Sequence, residues 1–316
     1  MDFSILVSDF WSLTIDGIVV GAIIALVSLG YTLVYGVLRL INFAHSEIFM
    51  IGTMTCYWVI KQFGFTGYED PLPLWKFASL FLLFGLTAAI VSGIAAVLLE
   101  IVAYRRLRVL GASRLSSLIS AIGASFFLVE VFRKLSDSKN LDFPRMISKD
   151  PIFTFSSAYV SADKILVIVG AAVIFFILNR VINHTKLGLG IRAVSQDERT
   201  SILMGVNVNR IISYTFLLGG ILAGLGSAFY MVFYETTKAN VGFLIGISAF
   251  TAAVLGGIGN VKGALYGSFA LGLFQQYTAA VLGYNWKDVV TFVILVFVLL
   301  VKPTGLFGEA LQKARV

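Results

Sequence analysis

Few residues in this chain are placed to do chemistry, and the clearest group is a cluster. The stretch INFAHSEIFMIG sets Asn42, His45, Ser46 and Glu47 just ahead of an apolar run to Ile60. A carboxylate carried into hydrocarbon is costly, so Glu47 calls for a cavity, a cation or a partner such as Arg39. On a helix, Asn42, Ser46 and Met50 share one face at i, i+4 spacing, while His45 and Glu47 lie on others. Two readings follow. The segment lines or breaks a polar pathway, or it is a polar helix start at a membrane surface with Asn42 as N-cap. His45 and Glu47 are two residues apart and lack the HExxH spacing of a zinc pair. His184 and the single Cys56 add little toward a metal site, and one cysteine excludes an internal disulfide.

A second stretch, LGLGIRAVSQDERTSILMGVNVNRI, is polar and short. Gly188 and Gly190 are expected to end one element, and Ala193 to Met204 to form an amphipathic helix stopped by Gly205. Mixed charge at Arg192, Asp197, Glu198 and Arg199 forbids spanning. Such a helix docks on a cytoplasmic partner or lies on anionic lipid. A third stretch, VLGGIGNVKGALYG, is glycine-rich, but no Gly-Lys pair follows GxxxxG, so a phosphate loop is excluded in favour of a tight cytoplasmic turn. Nowhere is there a Walker A motif, a GxSxG elbow or a Cys/His metal spacing. The chain is expected to be no enzyme and to need no cofactor, with any ATP hydrolysis on another subunit.

The elements that position these residues follow from composition. The chain is 58% hydrophobic and 13% charged, against about 25% charged in soluble domains. A bilayer core about 30 Å thick needs roughly 20 apolar residues per helix. Charge-free windows at 17–38, 77–99, 211–234, 239–261 and 263–286 meet this, and Glu47 is the one charge between Arg39 and Lys61. Shorter windows at 115–129, 165–179 and 289–301 bring the total to about nine, some of them half-helices. The predicted fold is an all-α polytopic membrane protein of about eight to nine transmembrane helices. It forms one domain over 1–316, with a coupling loop at about 186–208 and an extracytoplasmic loop at about 133–163.

Basic residues set the orientation. The loop YRRLRVLGASR, the segment Arg180 to Arg210 and the tail after Leu300 collect Lys and Arg, so these face the cytoplasm. The acidic N-terminus, which lacks a signal peptide's basic region, faces outside, and the C-terminus faces the cytoplasm. The net charge of +7 thus reflects cytoplasmic loops rather than nucleic-acid binding. Small residues four apart (Gly17, Gly21, Ala25; Gly219, Ala223, Ser227; Gly220, Gly224; Gly263, Gly267) mark close helix contacts. A faint repeat relates SLGYTLVYGVLRLIN, ending at Asn42, to GLGSAFYMVFYETTKAN, ending at Asn240, with opposite directions through the membrane.

These stretches carry a resemblance. YTLVYGVLRLINFAHSEIFMIG resembles the first signature of the permeases of branched-chain amino-acid ABC importers, the Liv-type family. RAVSQDERTSILMGVNVNRI is similar to their coupling loop, and AFTAAVLGGIGNVKGALYGSFALG with VKPTGLFG to their C-terminal block. The likeness runs from about Ile18 to Gly308. Ser46 departs from the Gly that relatives often carry after the His, and loop 133–163 matches nothing. The resemblance implies a permease subunit in a bacterial-type inner membrane that admits branched-chain or other neutral amino acids. It implies a second permease (a paralogue or the same chain), two cytoplasmic ATPase subunits and an extracytoplasmic solute-binding protein. Asn42, His45 and Glu47 would belong to the substrate pathway, and Ala193, Asp197 and Gly205 to the ATPase coupling loop. The rival reading is a stand-alone secondary transporter or channel for small polar solutes such as urea or amides. The lone intramembrane carboxylate and the docking-type helix weigh against it.

Overall fold

The computed structural model describes residues 4–65, 71–155 and 158–308. A charge-poor chain in lipid can satisfy its backbone groups only internally, and helices do so within one segment. In chain order the elements begin with α1 (Ser4–Ser8), α2 (Phe10–Leu38), α3 (His45–Gln62) and α4 (Leu74–Leu99). A π-helical turn (Glu100–Arg105) carries α4 into α5 (Arg106–Val109), and α6 (Arg114–Leu135) follows. Then come β1 (Leu141–Asp142), β2 (Pro151–Phe155), β3 (Ala158–Ser161), α7 (Ala162–His184), α8 (Lys186–Gln196) and α9 (Glu198–Leu203). The chain closes with α10 (Val208–Tyr234), β4 (Thr236–Thr237), α11 (Val241–Gly256), α12 (Val261–Leu282) and α13 (Trp286–Val301).

Each of the nine apolar windows holds a helix, but the helices are unequal. Among the described residues, five are long and apolar enough to cross a membrane: Phe10–Leu38, Leu74–Val109, Leu115–Leu135, Ala162–His184 and Val208–Tyr234. The pair α11 and α12, bent by 120°, raises the number to at most six. The window 239–261 yields only a 16-residue helix because Gly257 and Gly259 adopt left-handed φ angles of 106° and 96° and turn the chain. The basic loop at 104–114 is largely helix instead. Arg105, Arg106 and Arg108 extend the fourth helix beyond residue 99, because Arg105 and Arg108 reach back to the buried Glu100. The fold is mostly helical, as expected, with a small β addition. Two small antiparallel pairs, β1 with β4 and β2 with β3, organise the segment expected as the 133–163 loop, whose first residues are still in α6.

Helix α2 is the axis of the bundle, with 94% of its most apolar window buried, against 17% for the peripheral α6. The small-residue rows fall on helix crossings. Gly17 and Gly21 meet Leu273, Phe269 and Gly272 of α12, and Gly220 and Gly224 meet Ser92 and Ala88 of α4. Helices α2 and α10 run antiparallel, since Gly30 lies by Gly219 and Leu26 by Gly226. One end of the bundle, here the strand end, joins the start of α2 to α7 and α12 through Asp16–Lys164 (2.6 Å) and Thr14–Tyr277 (2.8 Å). The opposite end holds α8 and α9 and is the elbow end.

Helix α2 ends at Leu38 and α10 at Tyr234, 196 residues later; α3 starts at His45 and α11 at Val241, again 196 later. The residues after the two long helices, Arg39 and Glu235, are both left-handed, with φ 51° and 55°. Their N–H groups bond the carbonyls of Tyr35 and Met231 at 2.7 and 3.0 Å. The two helix pairs therefore share one backbone plan.

Candidate functional site

Left-handed backbone at Arg39 ends α2 and turns the chain back into the bundle. His45, the first residue of α3, lies against Gly30 and Gly219. Gly30 is eight residues before the end of α2, about 12 Å inside at 1.5 Å per residue. Helix α3 thus starts inside the protein and not at its surface. The first turn of α11 meets it there. Gly242 abuts the Ser46 carbonyl and Glu47 Oε2, and Gly246 abuts the Ser46 side chain, so neither position has room for a Cβ. Two helix N-termini converge on one point in the bundle.

Asn42, His45 and Glu47, the three residues expected in the pathway, are buried together but aim in three directions. Asn42 Oδ1 accepts from Tyr104 Oη at 2.7 Å, reaching the π turn. The His45 ring packs edge-on against Tyr31, with centroids 4.8 Å apart. Glu47 Oε1 accepts from Ser46 Oγ and Ser125 Oγ, both at 3.1 Å, which brings in α6. Glu47 is 0% exposed, and its Oε2 faces the first turn of α11, whose N-cap Asn240 makes no side-chain capping bond. A helix N-terminus favours an anion by about 0.3–1 kcal/mol, more when partly buried.

Two expectations for this segment fail. Asn42 is not an N-cap, because α3 is capped at Ala44 without a side-chain bond and the Asn42 Oδ1 already accepts from Tyr104. Arg39 does not pair with Glu47. Its Nη2 donates instead to the carbonyls of Ser195 and Gln196, at 2.9 and 3.3 Å, because the left-handed turn points it toward the elbow.

Native interiors leave few buried polar atoms unpaired. Among the described residues, eight side-chain atoms are buried without a protein hydrogen-bond partner. Asp16 Oδ1, ion-paired to Lys164, and Arg108 Nη1 lie toward the two ends of the bundle. The other six, Ser28 Oγ, Thr32 Oγ1, Asn42 Nδ2, His45 Nε2, Glu47 Oε2 and Thr251 Oγ1, lie on α2, on α3 and the link before it, or on α11. This is a chemistry of free donors and acceptors grouped in an apolar bundle, suited to holding or passing a small polar solute.

The second site is the elbow. Helix α8 begins at Lys186, where Thr185 Oγ1 caps Gly188 N at 3.1 Å, and runs on to Gln196. Gly188 and Gly190 therefore lie inside a helix and end nothing; they let it pack on Ile182 and Ile211. The single helix expected from Ala193 to Met204 is two. Asp197, at φ −150° and ψ 110°, breaks the chain and caps α9, accepting from Arg199 N (2.9 Å), Thr200 N (3.2 Å) and Thr200 Oγ1 (2.6 Å). The Thr200 hydroxyl and backbone bonds hold the Asp197 carboxyl below the usual carboxylate range. Ala193 is half-buried within α8, and its carbonyl accepts from Asp197 N at 3.1 Å. Gly205 (φ 83°) ends α9 as expected: its N–H bonds Ile202 O and that of Val206 bonds Ser201 O, a Schellman closure. The tip is apolar and bare, with Leu203 86% and Met204 79% exposed.

The family described as branched-chain amino acid transport system / permease component matches residues 13–299. This chain belongs to that family. Among its relatives is the high-affinity branched-chain amino acid transport system permease protein BraD of Pseudomonas aeruginosa, 39% identical over 93% of this chain and 94% of BraD. The corresponding permease protein LivH of Escherichia coli is 34% identical over the same shares. A probable branched-chain amino acid transport permease protein LivH of Methanocaldococcus jannaschii is 26% identical over 94% of this chain and 92% of its own. Permeases of this family are transporter subunits and not enzymes.

Sequence reasoning missed two positions in this permease. Glu100 is fully buried at the start of the π turn and accepts from Arg105 (2.6 Å), Arg108 (3.1 Å) and Ser213 (3.1 Å). A carboxylate followed by Arg at i+5 and i+8 was the available signal. Ser125 gave none, because a serine on a peripheral apolar helix reads as tolerated polarity.

Proposed function

We propose that this chain is a transmembrane permease subunit of an ATP-driven ABC importer, moving branched-chain or other neutral amino acids into the cytoplasm across a bacterial-type inner membrane. It acts as a single transmembrane domain beside a second permease, a paralogue or another copy. Two ATPase subunits serve the pair, and a solute-binding protein delivers substrate from outside. The observation that carries this reading is the elbow. Two short capped helices leave the bundle and end in exposed Ile202, Leu203 and Met204, an apolar tip of the sort that marks a protein contact. An ATPase cleft closing on that tip would push on α7 and α10, the helices that flank it.

The elbow end then faces the cytoplasm, in keeping with Arg105, Arg106, Arg108, Lys186 and Arg192 gathered there. The start of α2 and the strand pairs face outside, and residues 302–308 fold back against α11 on the inner side, with Leu306 N bonded to Leu255 O. The two helix pairs α2–α3 and α10–α11 are read as an inverted repeat, supported by their antiparallel course and common spacing. Their meeting point is the substrate pathway. A zwitterion passing it finds the Glu47 carboxylate for its ammonium group and the helix N-termini for its carboxylate.

Gly205→Trp tests the elbow. A left-handed φ at that position excludes a large L side chain. We expect ATP-driven uptake in reconstituted vesicles to be abolished while membrane insertion is unchanged; normal uptake would refute the docking role. Tagged protein that purifies alone and drives uptake without ATP would refute the importer itself. Labelling a cysteine placed at Leu203 from the outer side would overturn the orientation.

A further inference from the structure

Arg39 and Glu235 occupy matching places in the two helix pairs. Each is the first residue after a long helix, each is left-handed, and each opens a six-residue link into a helix that starts inside the bundle. Non-glycine residues rarely adopt this conformation. Both side chains are engaged, and each engages the loop at its own end. Arg39 donates to Ser195 O and Gln196 O, the last carbonyls of α8 before the break at Asp197. Glu235 binds Arg145 Nε (3.2 Å) and Lys149 Nζ (2.9 Å), while its carbonyl accepts from Phe143 N at 2.9 Å. Lys149 also donates to Phe233 O at 3.1 Å.

Beyond the clamps, the links converge. The link after Arg39 carries Asn42 into its bond with Tyr104 and delivers His45, Ser46 and Glu47. The link after Glu235 is tied to α3 by Thr237 Oγ1, which donates to Thr53 Oγ1 at 2.8 Å, and delivers Gly242 and Gly246 against Ser46. A displacement of the elbow is therefore passed by Arg39 to the start of α3. A displacement of the 141–155 segment is passed by Glu235 to the start of α11. The charges are opposite because the tasks differ: a guanidinium grips helix C-terminal carbonyls, and a carboxylate grips the Arg145 and Lys149 cations of its loop.

We infer that Arg39 and Glu235 are paired positioning residues through which the loops at the two ends of the bundle control the junction of α3 and α11. This rests on the reading in which the elbow docks an ATPase and the strand end meets a binding protein. The test uses the assembled transporter in proteoliposomes. Arg39→Gly removes the side chain and leaves a residue at ease with φ 51°. We expect ATP hydrolysis within twofold of the parent and uptake reduced at least tenfold, so that ATP consumed per solute rises at least fivefold. Arg39→Lys, which can still donate to one carbonyl, restores part of the uptake. Glu235→Gly leaves basal ATP hydrolysis unchanged and lowers its stimulation by loaded binding protein at least fivefold. An unchanged ATP-to-solute ratio in Arg39→Gly, or uptake and hydrolysis falling in proportion, overturns the inference. A cross-link between a cysteine at Leu203 and the ATPase separates the two layers. If it forms while the ratio is unchanged, the transmission role alone fails; if it never forms, the docking reading and this inference fail together.

Discussion

Two carboxylates, Glu47 and Glu100, are both 0% exposed in an apolar bundle, and they are held in opposite ways. Glu100 has both oxygens engaged, by Arg105, Arg108 and Ser213, and those guanidiniums reach on to Ser213 and Asn209 of α10. Among the described residues, Glu47 has two hydroxyls on one oxygen, none on the other, and no cation. A buried charge with complete partners is architecture; it pins the end of α4 to α10. A buried carboxyl with one oxygen free, at the meeting of two helix N-termini, is what the proposed pathway would use to hold a polar traveller. The difference shows how a membrane protein separates strength from passage within a few turns of helix.

The comparison can be broken in graded steps. Glu100→Ala strands two guanidiniums, and we expect a loss near 3 kcal/mol in thermal or denaturant unfolding, the low end for a broken buried pair because both arginines reach solvent. A loss below ~1 kcal/mol would deny Glu100 its structural role. Glu47→Gln should alter stability by less than about 1 kcal/mol, the worth of one neutral hydrogen bond. Uptake should nevertheless fall at least tenfold; full uptake would move the pathway elsewhere. Tyr104→Phe removes the single bond to Asn42 and should cost about 1 kcal/mol. A mild uptake defect that does not add to that of Glu47→Gln would place both on one route.

The smallest effect concerns pH. Asp197 is held below the ordinary carboxylate range by Thr200, so its cap contributes fully above that range and loses its contribution progressively as pH falls from there to the lowered value. Protection of the elbow against hydrogen exchange at 190–205, corrected for the intrinsic rate, should stay flat from neutral pH down to the usual carboxylate range and decline below it. No decline on acidification would mean the cap is not formed.

How much of this the sequence disclosed depends on range. The nine apolar windows, Gly205 as a helix stop, the small-residue rows and the polar cluster at 42–47 are local patterns, and each is found where expected. What sequence could not give were partners distant in the chain. Arg39 looked like a mate for Glu47 eight residues on, but its hydrogen bonds lie more than 150 residues away. Charge-free length could not tell a full span from a helix such as α3 or α11 that starts inside the bundle, because a window carries no depth. The strand pairs were hidden because two-residue strands such as β1 and β4 are defined by each other and not by their own residues.

The matched backbone plan of the two helix pairs has a consequence for biosynthesis. If the two pairs are the proposed inverted repeat, they look alike from either leaflet and offer the insertion machinery no cue from shape. The decision falls to the basic residues crowded at one extremity, from Arg105 to Arg108 and from Lys186 to Arg192. Neutralising the exposed Arg106 and Lys186 would spare the Glu100 anchor and still weaken the cue that keeps the protein from being born upside down.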